Sequence, residues 1–287
     1  MSLGHEAAGE IVEVGAAVTG LRAGDHVVVN PQAAAPSGII GCGGTLGGMR
    51  EYLLIENAVL GESLALIPDS VPFEVAALNE PMAVALHSVN RSEARPTDKV
   101  VVFGVGPIGL GATIWLKLRG VRHVVVADVI PSRLETALAV GADAVIDSSH
   151  DDVIARLTEL HGQDANALGQ PRPSSDIYLD AAGAPAVLTT TLASAKWHAK
   201  LVMVAVQKKS DTDLSAMLRS ELTLIASMGY PTEIFEVTPE LAEHSDRFAR
   251  LISHRIPFSN VADAYQLATT PGAAEKVIVT FDDDVRR

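Results

Sequence analysis

The sequence predicts an α/β protein: a doubly wound parallel sheet accompanied by a second, β-rich region. Three observations carry this reading. From residue 99 onward, six short strand-like runs alternate with helical segments, the order expected of stacked β-α-β units. Five of the six runs are continuously apolar, as strands covered on both faces are. Outside that stretch the rhythm changes to short Val-rich runs separated by turn signals.

In chain order, residues 8–14 and 26–30 read as strands on either side of the turn Ala23-Gly24-Asp25. Residues 31–49 hold six glycines among 19 residues and no charge, and read as a mobile loop. Residues 50–56 read as a further strand. Residues 72–91 read as helix, broken near Asn79-Glu80-Pro81 because proline lacks the N–H donor. The sheet strands are then 99–103, 123–128, 144–147, 176–181, 200–206 and 223–228. The helices between them are 108–119, 132–140, 151–161, 186–195 and 214–219. Residues 163–175 read as a surface loop, 239–253 and 260–268 as helices, and 276–281 as a last strand. Asp282-Asp283-Asp284 reads as a solvated tail. A length of 287 residues suits two domains. Their expected limits are 89–231 for the doubly wound domain, and 1–88 with 232–287 for the other.

Composition narrows the function classes. Lys and Arg number 22 against 35 Asp and Glu, a formal net charge of -13. Such a chain repels the nucleic-acid backbone, so no nucleic-acid partner is expected. The longest uncharged apolar run, residues 100–116, contains four glycines and a proline. It reads as strand, turn and helix rather than a membrane span. One cysteine, Cys42, excludes a disulfide framework and a four-cysteine metal site. The expected location is the reducing cytoplasm.

Gly104-Val105-Gly106-Pro107-Ile108-Gly109 is a G-x-G-x-x-G sequence that follows an apolar strand and opens a helix. In that context the first glycine makes the turn, the second lets a pyrophosphate approach, and the third lets helix and strand pack closely. The helix N-terminus offers free N–H groups to the anion. Asp128 ends the next strand, 19 residues past Gly109. A carboxylate there accepts from ribose hydroxyls and repels a 2′-phosphate, which favours NAD over NADP. Arg133 nearby is the group that would pair with a 2′-phosphate.

Gly4-His5-Glu6 places an imidazole beside a carboxylate, both competent zinc ligands, and Glu80 is a carboxylate in an otherwise apolar segment. Spacing alone does not connect them; a surface His-Glu pair and a helix-capping acid are the plain alternatives.

A resemblance does connect them. Residues 4–15, beginning Gly4-His5-Glu6-Ala7-Ala8-Gly9, resemble the G-H-E motif of the zinc-dependent medium-chain alcohol dehydrogenases. Gly24-Asp25-His26-Val27 resembles the family's G-D-x-V turn. Glu80-Pro81 and the residues after it are similar to the polyol branch, which includes sorbitol, butanediol and threonine dehydrogenases. The glycine turn, Asp128, Arg133-Leu134-Glu135 and Gly141-Ala142-Asp143 continue in family order. The resemblance implies a GroES-like catalytic domain and a Rossmann domain. It implies oxidation of an alcohol, or reduction of a ketone or aldehyde, with a nicotinamide cofactor. His5 and Glu6 would be zinc ligands, with Glu80 a further ligand or a nearby carboxylate that exchanges with water, and Gly104, Gly106, Pro107, Ile108, Gly109, Asp128 and Arg133 would line the NAD site. A homo-oligomer paired through the strand at 223–228 is also implied.

The chain departs from the pattern twice. The family's cysteine ligand lies well before G-H-E, where this chain has only three residues. The reading is therefore a chain shortened at its N-terminus, with an incomplete GroES-like domain and an incomplete catalytic zinc site. His5 and Glu6 would sit beside a frayed end, and zinc affinity and turnover would be low. Second, the segment that holds a structural zinc in many members has only Cys42 here, so no structural zinc is expected, and Cys42 reads as a loop thiol. Two other readings compete: a dinucleotide-binding protein without competent catalysis, and a zinc-independent reductase, against which the His5-Glu6 pair argues.

Overall fold

The computed structural model describes residues 2–33, 39–207 and 212–281. The tail at 282–284 and residues 34–38 of the glycine-rich segment lie outside them. The chain forms two compact units, one of Met1–Ala83 with Pro231–Arg287, the other of Val84–Tyr230.

The chain begins in the first unit with strands β1 (Ala8–Glu10), β2 (His26–Val29) and β3 (Leu64–Leu66), which pair antiparallel in that order. The second unit holds β4 (Lys99–Phe103), β5 (His123–Asp128), β6 (Ala144–Asp147), β7 (Gln163–Ala165), β8 (Pro171–Pro173), β9 (Ile177–Asp180), β10 (Lys200–Met203) and β11 (Thr223–Ala226). The chain then returns to the first unit with β12 (Ile252–Pro257) and β13 (Lys276–Thr280), a parallel pair joined through the helix Val261–Thr269.

The first unit has a small core of Val27, Val29, Ile40 and Leu64, with Leu53 and Ile55 packed against it. Residues 50–56, expected as a strand, form none. Their alternation is real: Leu53 and Ile55 point inward while Tyr52 and Leu54 are exposed. Among the described residues no neighbouring strand completes a ladder with them. The strand at 64–66 was not anticipated, because three residues carry too little pattern. The expected helix at 239–253 is shorter and broken. It runs Val237–Glu243, restarts as Ser245–Phe248, tightens to a 3-10 turn, and gives way to β12. The expected break in 72–91 falls between the helices Phe73–Ala76 and Asn79–Ser92.

In the second unit the six parallel strands lie in the order β11-β10-β9-β4-β5-β6. Chain direction across the sheet reverses between β4 and β9, the switch point at which open α/β sheets bind ligands. Val100, Val101 and Val102 are all fully buried. Consecutive side chains point to opposite faces, so both faces are covered, and this is why the strands read as unbroken apolar runs. Residues 163–175, expected as loop, instead form the β7–β8 hairpin. Asp152 caps the helix Val153–His161, accepting from the Ile154 and Ala155 N–H groups at 3.0 and 3.1 Å. No helix of the described residues is long and apolar enough to cross a membrane.

Candidate functional site

Apart from the mostly exposed cluster of Glu240, Glu243 and His244, two groups of the described residues gather chemistry, one in each unit. The first comprises His5, Glu6 and Glu80, whose ligand atoms all lie within 4.8 Å of one another. Glu80 sits in the first turn of the helix Asn79–Ser92, where the N-terminal end of the helix dipole stabilises a carboxylate. Pro81 beside it is tolerated because the N–H it lacks has no helical acceptor there. Asn79 locks this helix start. Its amide donates to the Ile234 carbonyl and its Oδ1 accepts from Thr238 Oγ1 at 2.8 Å. Glu80 is 8 % exposed, and its Oε2 lies 3.8 Å from His5 Nε2.

His5 and Glu6 are not at a frayed end, contrary to the expectation from sequence. Gly48 N–H donates to the Gly4 carbonyl at 2.7 Å and Met49 N–H to the Leu3 carbonyl at 3.3 Å, while Val29 N–H donates to Ala7 at 3.1 Å. Lys276, at the start of β13, forms an ion pair with Glu6. It offsets one of the two carboxylate charges in the cluster. Cys42, read as a simple loop thiol, has its Sγ 3.3 Å from His5 Nδ1. Neither Lys276 nor Cys42 was legible as a neighbour, since each lies more than 30 positions from its partner and matches no spacing rule.

The donor set fits a zinc ion. One imidazole and two carboxylates match the three protein ligands that an open tetrahedral site needs. Zinc–donor distances of about 2.1 Å put tetrahedral ligands about 3.4 Å apart; here the ligand atoms lie within 4.8 Å of one another.

The second group lies along the sheet edge where the parallel strands end. Strand register aligns Phe103 with Ala127 and with Asp180, and Asp128 with Asp147. The ends of four strands therefore stand side by side. Gly104 follows with φ +90°, in the left-handed region, and a Cβ there would lie 2.7 Å from the Ala182 backbone nitrogen. A Cβ on Gly109 would lie 1.8 Å from the Gly104 carbonyl oxygen, so only glycine lets this helix pack against its strand. Gly106 is different: a Cβ there meets no atom of the described residues within 4 Å. It caps the helix Pro107–Leu118, which has no side-chain cap, so open space faces a helix N-terminus. Such a cradle fits the pyrophosphate of a dinucleotide.

Asp128 reaches into this turn. Its Oδ2 accepts the Val105 N–H at 2.6 Å, and its Oδ1 accepts the Val129 and Ile130 N–H groups at 2.7 and 2.9 Å. The carboxylate is thereby fixed beside the glycine turn. Arg133 is half-buried in the first turn of the helix Pro131–Ala139. Asp180 was not singled out from sequence, yet it organises the opposite side of the switch point. It is 1 % exposed and accepts from the Ala182 and Gly183 N–H groups at 3.0 and 2.8 Å and from Gln207 Nε2 at 2.9 Å. A lone Asp at the end of an apolar strand carries no motif, which is why it escaped notice.

Comparison with known proteins agrees with this anatomy. Residues 1–68 match the family described as alcohol dehydrogenase GroES-like domain, and residues 107–244 match zinc-binding dehydrogenase. The (R,R)-butanediol dehydrogenase of Bacillus subtilis is 32% identical over 80% of this chain, which spans 66% of that protein's length. The L-galactonate-5-dehydrogenase of Escherichia coli is 31% identical, covering 92% of this chain and 78% of that protein. The crystal structure of 2R,3R-butanediol dehydrogenase from Bacillus subtilis superposes with a TM-score of 0.81 at 28% identity, covering 96% of this chain and 80% of that one.

Proposed function

Because the chain belongs to the zinc-dependent medium-chain alcohol dehydrogenases, we propose that it interconverts a secondary alcohol or polyol and the corresponding carbonyl compound with NAD. The observation that carries this reading is the convergence of His5, Glu6 and Glu80 in a protein that also keeps the glycine turn. When bound, zinc supplies Lewis acidity toward the substrate oxygen, and the dinucleotide supplies the hydride acceptor or donor. The chain's own residues hold and orient these groups. His5, Glu6 and Glu80 are the metal ligands, Glu80 from the first turn of its helix. Gly106 and the N–H groups following Pro107 and Ile108 receive the pyrophosphate. Asp128 receives the adenosine ribose and disfavours a 2′-phosphate by charge repulsion. The test is an assay of purified protein with vicinal diols and polyols, with and without a chelator. NAD-dependent turnover abolished by chelation and restored by zinc is expected; turnover indifferent to chelation would refute the metal assignment. Asp128→Ser should narrow the preference for NAD over NADP, and a wild-type protein that binds NADP as tightly as NAD would overturn that part.

The reading includes a homo-oligomer and a cytoplasmic location, which suits a chain with one cysteine. β11 is one of the two edge strands of the sheet, and Leu214, Leu218 and Leu224 near it are exposed. An uncovered edge strand flanked by leucines is a pairing surface for a second copy. Light scattering should give at least a dimer mass, reduced by Leu224→Lys. A wild-type monomer at micromolar concentration would contradict the pairing.

A further inference from the structure

The glycine-rich segment before Met49 is clasped onto the strand-like stretch that carries His5. A Cβ on Gly47 would lie 2.4 Å from the Leu3 carbonyl oxygen, and one on Gly41 would lie 2.6 Å from that of Gly4. Backbone thus rests directly on backbone at two points. Around those points the segment is tied to itself and to the core. Gly41 N–H donates to the Leu46 carbonyl at 2.7 Å, and Ile40, only 1 % exposed, donates its N–H to Pro31 at 2.9 Å. Next to this anchor, Cys42 adopts φ +47°, a left-handed conformation that residues with a side chain rarely take. From it the thiol reaches His5 Nδ1 at 3.3 Å.

The two nitrogens of His5 therefore face different partners: Nδ1 faces sulfur, and Nε2 faces Glu80 Oε2 at 3.8 Å. A neutral imidazole carries its proton on one nitrogen and offers a lone pair on the other. The nitrogen that takes a metal must be the bare one, and the partner of the other nitrogen decides which that is. We propose that Cys42 is a positioning residue for His5: its sulfur accepts the Nδ1–H, which fixes the tautomer whose Nε2 lone pair is turned toward the carboxylates of the cluster. This rests on the reading of His5, Glu6 and Glu80 as metal ligands. It assigns Cys42 a place behind the ligand rather than on the metal, in keeping with its absence from the group of mutually close ligand atoms.

The test uses the full chain with histidine labelled in nitrogen-15, stripped of metal, at a pH well above the imidazole range. Long-range proton–nitrogen spectra read the tautomer, with the His5 signals assigned by their loss in His5→Gln. The Nδ1–H tautomer should predominate in the wild type. In Cys42→Ala it should give way to a mixture, and zinc affinity by chelator competition should fall about 10- to 100-fold. Cys42→Ser, which keeps an acceptor, should largely restore both. An Nε2–H tautomer in the wild type, or a Cys42→Ala protein unchanged in both tautomer and zinc affinity, would overturn the proposal. So would a thiolate-to-metal charge-transfer band in cobalt-loaded wild type that Cys42→Ala abolishes, since Cys42 would then be a ligand itself. If the tautomer behaves as expected but the wild type takes up no zinc, the metal reading fails while the role of Cys42 toward His5 stands.

Discussion

Two glycines of the same turn should respond oppositely to one added methyl group. At Gly106 the backbone has φ -78° and ψ -178°, open to any residue, and an added Cβ meets no atom of the described residues within 4 Å. Replacing glycine by alanine at a helix N-cap costs about 0.5–1 kcal/mol. The stiffer unfolded chain returns about 0.4–1 kcal/mol, so Gly106→Ala should leave stability nearly unchanged. On the proposed reading the methyl group would occupy the approach of the pyrophosphate. NAD affinity should fall about 10- to 100-fold, equivalent to about 1.4–2.8 kcal/mol. At Gly109 the same methyl would stand 1.8 Å from the Gly104 carbonyl oxygen. Helix and strand must separate, and Gly109→Ala should lose about 1–3 kcal/mol of stability or more. Urea unfolding and calorimetric titration with NAD measure both quantities for both variants. A Gly106→Ala protein that binds NAD like the wild type would refute the placement of the pyrophosphate. A Gly109→Ala protein as stable as the wild type would refute the packing argument.

Two further outcomes follow from buried groups. Burial, with Lys99 and His123 adding positive charge, holds the His161 pKa down at about 4 against an ordinary 6.5. The unfolded chain then takes up the proton first, so stability is lost as pH falls from about 6.5 to about 4. The loss amounts to about 3 kcal/mol. Comparing urea unfolding of wild type and His161→Gln across that window isolates the effect, and identical pH dependence would refute it. Asp180→Ala strips the acceptor from two backbone N–H groups and Gln207. It should cost about 2–3 kcal/mol and weaken NAD binding through the turn that abuts Gly104, as thermal unfolding and titration would reveal; unchanged values in both would show that Asp180 holds nothing in place.

The second unit was largely legible in the sequence, for a physical reason. A sheet covered on both faces writes itself as unbroken apolar runs, and β4, β5 and β6 begin and end where those runs do. The glycine turn was legible because each glycine answers a separate steric demand, and Gly104, Gly106 and Gly109 meet three different surroundings. The first unit was harder to read. Its small core leaves Leu53 and Ile55 packed without a strand partner, so alternation there does not mean a ladder. The clasp that brings Cys42 to His5 depends on backbone contacts between residues far apart in sequence. Glycine content alone suggested mobility, whereas those glycines permit close packing. His5, Glu6 and Glu80 were joined only through resemblance, because no local spacing relates a strand-like stretch at residue 5 to a helix start at residue 80.

On the proposed function, His5, Glu6 and Glu80 form one metal site. The direct measurement is zinc stoichiometry and affinity of chelator-treated, reloaded protein by isothermal titration, for the wild type, His5→Ala and Glu80→Ala. One zinc per chain in the wild type, with the tight site lost in both variants and NAD affinity unchanged, is the expected result. Equal zinc binding by all three proteins, or a wild type that binds none, would contradict it.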